Sequence, residues 1–147
     1  VIDIALEIGR EGREGRKIGT GFIIGDTKRV MSESAQLILN PFMGYPKEKR
    51  NIKNKEIKES IKEFAQLDGV FIIDTDGTVI SGGRYINVDI RGIEIPKGLG
   101  ARHTAVAAIT KKTKAVGVVV SESGGTVRVF KDGEELVLLE PTKRVSS

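Results

Sequence analysis

The stretch NKEIKESIKEFAQLDGVFIID, residues 54 to 74, changes its hydrophobic pattern midway and thereby decides the class of fold. From Asn54 to Leu67 the apolar residues Ile57, Ile61, Phe64, Ala65 and Leu67 fall on one face of a helix. Lys55, Glu56, Lys58, Glu59, Lys62 and Glu63 cover the rest. Opposite charges three and four residues apart, such as Glu59 with Lys62 and Lys55 with Glu59, support a solvent-facing side. The helix stops at Asp68-Gly69, and a strand, Val70 to Asp74, starts immediately. A carboxylate at such a junction, beside a glycine that permits close backbone approach, can hold a metal ion or orient a hydroxyl; its plain alternative is a turn residue.

Upstream, IGTGFIIGD (residues 18–26) reads as an interior strand bounded by turn residues. Its glycines at 19, 21 and 25 do not have the spacing of a dinucleotide fingerprint and lie within the strand rather than in a strand-to-helix turn. No GxxxxGK[ST] loop occurs in the chain either, so any nucleotide is held by another device. GREGREGRK (residues 9–17) repeats glycine every third residue with Arg10, Arg13 and Arg16 in phase, which reads as a loop. It is either a flexible basic loop near phosphates or a solvated connector. Val1 to Ile8 reads as helix, with strand as the alternative. Thr27 to Asn40 reads as a short helical turn and an extended segment, broken by Pro41, Gly44 and Pro46, and Lys47 to Lys53 as a solvated loop.

Downstream, Asp74-Thr75-Asp76-Gly77 resembles a fragment of a calcium loop, but the later ligands are misplaced, and a hairpin between Val70–Asp74 and Thr78–Ser81 explains it better. Gly82 to Ile86 leads into a polar, proline-containing loop that ends at GLGARHT (residues 98–104), which carries the only histidine of the chain. The apolar run Ala105 to Ile109 makes this a helix start. Arg102 and His103 therefore project from an end whose free N–H groups attract anions. Lys111, Lys112 and Lys114 suit its C-terminus. Three strands follow, Ala115–Ser121, Thr126–Lys131 and Glu134–Leu139, joined by glycine turns. Early alternation of helix and strand with late hairpins implies a single α/β domain, residues 1–140, with a central mixed β-sheet flanked by helices, and a flexible C-terminal tail, residues 141–147.

A chain of 147 residues is the size of one domain with one core. It begins at Val1 with neither an initiator Met nor a signal-peptide pattern, which reads as a domain cut from a longer chain or an engineered start. No apolar run approaches the roughly 20 residues of a membrane span. The absence of cysteine removes disulfides, thiol nucleophiles and cysteine zinc sites, and makes the cytoplasm the expected location. The net charge of +4 suits an anionic ligand but is far from a nucleic-acid-binding tail, and with two Tyr and no Trp, stacking platforms for single strands are scarce. Candidate groups cluster at three element edges, Asp68-Gly69-Val70, Gly100-Ala101-Arg102-His103 and Ser121-Glu122-Ser123, which together suggest an anion site with a carboxylate nearby.

The motifs IGTGFIIGD, LDGVFII, GGRYI, GLGARHTAVAAIT, VVVSESGG and VRVFKDG, in this order over residues 9 to 137, resemble the diadenylate cyclase (DAC) domain family, in its archaeal type. The resemblance implies the DAC-domain fold and the condensation of two ATP into cyclic di-AMP with release of two pyrophosphates. It also implies a face-to-face homodimer, because each 3′-hydroxyl attacks the α-phosphorus of the other nucleotide. Asp68 would then hold Mg²⁺ or Mn²⁺ and help activate the hydroxyl, and Arg102 and His103 would grip the phosphates. Gly69, Val70 and Ile86 would line the nucleotide pocket, with Ala101, Thr104, Ser121 and Glu122 also contacting the nucleotide. The chain departs from the family at three points. Val70 stands for the usual Ala, Ala101 for Thr, and Thr104 for a second Arg, a loss for which Arg84 or the Gly/Arg loop are the candidates to compensate. A nucleotide-sensing module that binds ATP or cyclic di-AMP without turnover is the alternative from another class.

Overall fold

In the computed structural model, which describes residues 1–141, seven strands make one mixed sheet with helices on both faces. In chain order the elements are α1 (Ile2–Glu11), β1 (Thr20–Ile24), α2 (Thr27–Ser32), β2 (Ser34–Gln36), α3 (Lys55–Phe64), β3 (Val70–Ile73), β4 (Val79–Ile86), α4 (Ala101–Lys112), β5 (Val116–Val120), β6 (Val127–Lys131) and β7 (Glu134–Leu139). The sheet order is β2-β4-β3-β1-β5-β6-β7. Only β1 and β3 run parallel; every other neighbour is antiparallel. The expected single-domain α/β fold with a mixed sheet is therefore the one observed. The expected tail falls largely on residues 142–147, outside the described residues.

Alternation along the central strands sends side chains to two cores. Phe22 and Phe71 stack at 5.2 Å in the core that α1 and α3 cover with Ile4, Ile8 and Ile61. Ile23 and Ile72 face the other core, which α2 and α4 cover with Val30, Val106 and Ile109. The apolar run read from β1 thus has two faces to fill, which is why it carries no polar alternation. On α4 the small residues allow a close approach to β5, where Gly117 leaves room for Val106.

Several parts of the structure differ from the sequence reading. Helix α1 runs on through Gly9 and Arg10 to Glu11, because Gly9 lies backbone to backbone against Gly125 and the close approach holds the helix there. Arg13 to Arg16 then forms a two-residue hairpin, closed by Arg13 N–H to Arg16 O at 2.8 Å and Arg16 N–H to Arg13 O at 2.9 Å. Glu14 and Gly15 at its tip have φ of 51° and 76°, the left-handed pair of a type I′ turn. The stretch read as a loop is thus a helix end and a hairpin.

On α3, Lys62 is 8% exposed rather than solvent-facing. Its ammonium sits between α1 and α3, 2.9 Å from Glu11, 3.6 Å from Glu59 and 3.9 Å from Glu7. Strand β4 continues past Ser81 to Ile86, with irregular pairing to β3 on both sides of Ile72. Within the segment read as a solvated loop, Lys47–Arg50 forms a 3₁₀ turn.

Candidate functional site

Asp68 reaches its place because the chain leaves α3, turns, and enters β3 at Gly69, whose φ is 94°. A Cβ on Gly69 would stand 2.8 Å from the backbone of Arg84, so only glycine lets this junction press against β4. The Asp68 side chain is exposed, and among the described residues it has no hydrogen-bond or ion-pair partner. Across the sheet edge, α4 begins at Gly100 without a side-chain cap, leaving first-turn N–H groups free. Arg102 projects from this turn and likewise has no side-chain partner among the described residues.

These two ends border a cavity of about 560 Å³. Its lining combines the apolar Val70, Ile86, Leu99, Ala105 and Val120 with the polar Asp68, Arg102, Ser121, Glu122 and Ser123. Ser121 and Ser123 lie Oγ to Oγ at 3.0 Å, fixing the turn between β5 and β6. Of the residues proposed from sequence, Asp68, Gly69, Val70, Ile86, Ala101, Arg102, His103, Ser121 and Glu122 all line this one cavity. Thr104 does not. Its hydroxyl turns back on its own helix, 3.4 Å from the carbonyl of Gly100.

His103 is 6% exposed, and its Nε2 has no hydrogen-bond partner among the described residues. Burial, followed by the charges of Arg128 and Arg102, pushes its pKa down to about 4. The ring is therefore neutral at pH 7, so any contact it makes with a phosphate is that of a neutral hydrogen-bonding group. Arg84 borders the cavity but does not offer a free guanidinium. Its Nη2 donates to Met31 O at 2.9 Å and Ser34 O at 3.0 Å, and its Nε to Ser34 Oγ at 2.9 Å. It ties β2 to β4 instead, and burial lowers its pKa.

Sequence reasoning missed the exposed apolar side chains at the mouth, Leu37 and Tyr85, at 51% and 55% exposure, and missed Leu99 as a wall residue. Their positions follow no period, so only the folded sheet brings them together. It also gave no role to Gly19 and Gly21, over which Arg102 lies: a Cβ at these positions would stand 3.1 Å from its Nη1 and 3.5 Å from its Cδ.

Two observations bear on a divalent cation. The Asp68 carboxylate keeps its lone pairs free, but among the described residues no group of three His, Cys, Asp or Glu side chains could hold a metal. A single exposed carboxylate could hold Mg²⁺ or Mn²⁺ only with the remaining ligands drawn from substrate phosphates and water.

The fold and the site define an α/β domain in which the starts of β3 and α4 border a cavity lined by both apolar and charged side chains, the character of a small-ligand site. Residues 7–135 match the family model DAC, described as DisA bacterial checkpoint controller nucleotide-binding, and the chain belongs to this family. It is 51% identical to a diadenylate cyclase of Methanocaldococcus jannaschii over 99% of this chain and 46% of that protein. It is 41% identical to a diadenylate cyclase of Haloferax volcanii over 96% of this chain and 51% of that protein. The chain thus spans about half the length of these curated relatives. Among solved structures, it resembles a hypothetical membrane spanning protein from Bacillus cereus, with a TM-score of 0.64, 18% identity, and coverage of 96% of this chain and 61% of that one. It also resembles DacA from Staphylococcus aureus, solved as a double mutant, with a TM-score of 0.62, 21% identity, and coverage of 97% and 86%. Among the described residues no helix is long and apolar enough to cross a membrane.

Proposed function

We propose that this chain condenses two ATP into cyclic di-AMP, releasing two pyrophosphates, with two copies facing each other. The observation that carries the reading is the pair of opposite charges, Asp68 and Arg102, which have no side-chain partner among the described residues and line one cavity together with apolar side chains. A base fits against the apolar Val70, Ile86 and Leu99, and the α-phosphate then lies at the start of α4. The names of the relatives, both diadenylate cyclases, support the same reading.

In each half-reaction a bond forms between the 3′-oxygen and the α-phosphorus, and the bond from that phosphorus to the bridging oxygen breaks. Pyrophosphate leaves with the electron pair, and the hydroxyl gives up its proton. Arg102 and the free N–H groups of the first turn of α4 hold the phosphate oxygens as charge builds on them. His103, as a neutral imidazole, adds a hydrogen bond at close range. A Mg²⁺ or Mn²⁺ ion on Asp68 would supply charge neutralisation and a lowered hydroxyl pKa. Asp68 Oδ is also an acceptor for the hydroxyl proton. The hydroxyl and the phosphorus it attacks belong to different nucleotides, and one cavity of this size holds one. A face-to-face homodimer is therefore part of the proposal, as is a cytoplasmic location, where ATP is supplied.

Incubation with ATP and Mn²⁺ or Mg²⁺ at several protein concentrations tests this. The expected result is cyclic di-AMP at one per two ATP consumed, with specific activity rising as dimers form. Tight ATP binding with no product at any protein concentration would overturn the cyclase reading and leave a nucleotide-sensing module.

A further inference from the structure

A second cleft, of about 580 Å³, opens beside the first and shares Asp68, Arg102, Glu122 and Ser123 with it. Its far wall is the Arg13–Arg16 hairpin together with Lys17, and Ile18 is its single apolar side chain. Four cationic side chains, Arg13, Arg16, Lys17 and Arg102, stand there against two carboxylates, Asp68 and Glu122. A cleft of that balance, continuous with the nucleotide cavity, selects for multiply charged anions.

The hairpin is built to hold its shape. The type I′ turn and the reciprocal backbone bonds fix its register. Lys17 Nζ donates to the last carbonyls of α1, Gly9 O at 2.9 Å and Arg10 O at 3.3 Å, anchoring the exit of the hairpin. Gly12, at a φ of 61°, leaves room for the carbonyl of Arg16. Arg13 lies 3.3 Å from Glu63, whereas Arg16 is exposed and has no ion pair among the described residues. The three arginines spaced in phase along the sequence thus part company: Arg10 stays on α1, Arg13 pairs with α3, and Arg16 is left free over the cleft.

We propose that this hairpin, through Arg16, is the subsite for the β- and γ-phosphates of the nucleotide and so for the departing pyrophosphate. The proposal rests on reading the first cavity as the ATP site. A nucleotide with its base against Val70 and Ile86 and its α-phosphate on Arg102 has one continuation of matching charge, across the shared wall towards Arg16. There the guanidinium neutralises the charge that the pyrophosphate gains when the bridging bond breaks. AMP and cyclic di-AMP lack these phosphates and do not reach the hairpin.

The test uses 3′-deoxy-ATP and 3′-deoxy-AMP, which lack the attacking hydroxyl, titrated calorimetrically with Mg²⁺ into the chain and into Arg16→Ala and Arg16→Lys. The wild type should prefer the triphosphate. Arg16→Ala should weaken the triphosphate roughly tenfold and leave the monophosphate within about twofold, with Arg16→Lys in between. Inhibition of cyclic di-AMP formation by added pyrophosphate should weaken in parallel. Equal losses for both nucleotides, no loss, or a wild type without triphosphate preference would overturn the subsite. The two readings fail separately: Arg16-dependent preference without product formation removes the cyclase and keeps the subsite, and product formation with preference intact in Arg16→Ala removes the subsite alone.

Discussion

Arg102 lies across Gly19: a Cβ there would stand 3.1 Å from Nη1 of the arginine and 3.2 Å from the backbone nitrogen of Glu122. The site-facing end of this segment is bare so that a side chain from α4 can cross it. Gly19→Ala should therefore shift the guanidinium by a few tenths of an ångström or force another rotamer. We expect kcat/KM for ATP to fall roughly tenfold, because a misplaced group near the reacting atoms loses transition-state stabilisation. The thermal midpoint should fall modestly, since besides the flexible end of Arg102 the backbone of Glu122 must also give by a few tenths of an ångström. A large loss of stability with unchanged kcat/KM would contradict this assignment.

Asp68→Asn separates chemistry from folding. The side chain is exposed and unpartnered among the described residues, so unfolding in urea should change by no more than about 0.5 kcal/mol. An amide is a poor ligand for a hard cation and cannot accept the hydroxyl proton, so product formation should fall by at least about 100-fold. Metal-free ATP binding should persist. Unchanged turnover would remove the metal role from this residue.

The part of the fold legible in the sequence is the part written in periods. The amphipathic face of α3, the apolar runs of β1 and β3, and the three C-terminal strands each fell within a few residues of their observed ends. The Gly/Arg stretch was not legible, because glycine density reads as a loop wherever it occurs. Gly9 here serves a helix-to-turn contact with Gly125, and Gly12 and Gly15 serve a hairpin. Lys62 was misplaced because charge marks the solvent side only when no opposite charges wait inside, and Glu7 and Glu11 come from another helix. Asp68, Arg102 and Ser121 could be proposed from their element edges. The mouth residues Leu37 and Tyr85, and the turn of Thr104 away from the cavity, depend on strand order and side-chain direction that no local pattern carries.

His103 gives the site a pH signature. Its folded pKa of about 4 lies below the usual 6.5, so the unfolded chain binds a proton more readily in between. Stability from this group is complete above about pH 6.5 and is lost as pH falls towards 4, in total roughly 3 kcal/mol. His103→Gln should flatten the acid side of the stability profile in that window, as read by urea midpoints at half-unit pH steps. A phosphate in the cavity reverses the local field and raises the pKa, so ATP binding near pH 5.5 should take up protons. Calorimetry in two buffers of different ionisation enthalpy measures that uptake, and proton release would contradict it.

Lys62 offers the complementary case, a charge that matters for stability and not for the site. Its ammonium bridges α1 and α3 on the face of the sheet away from α4, and hydrogen bonding to Glu11 raises its pKa while lowering that of Glu11. Lys62→Met keeps the volume but leaves Glu7, Glu11 and Glu59 facing one another. Breaking a fully buried pair costs about 3–5 kcal/mol; these carboxylates are partly exposed, so about 1–2 kcal/mol is expected. The loss should shrink below pH 4, where the carboxylates protonate, and Glu11→Gln in the Lys62→Met background should recover part of it. Specific activity, measured on the folded fraction, should stay within twofold of wild type. A selective loss of activity instead would mean that α1 and α3 couple to the cavity through the Arg13–Glu63 contact, and would move this cluster into the working site.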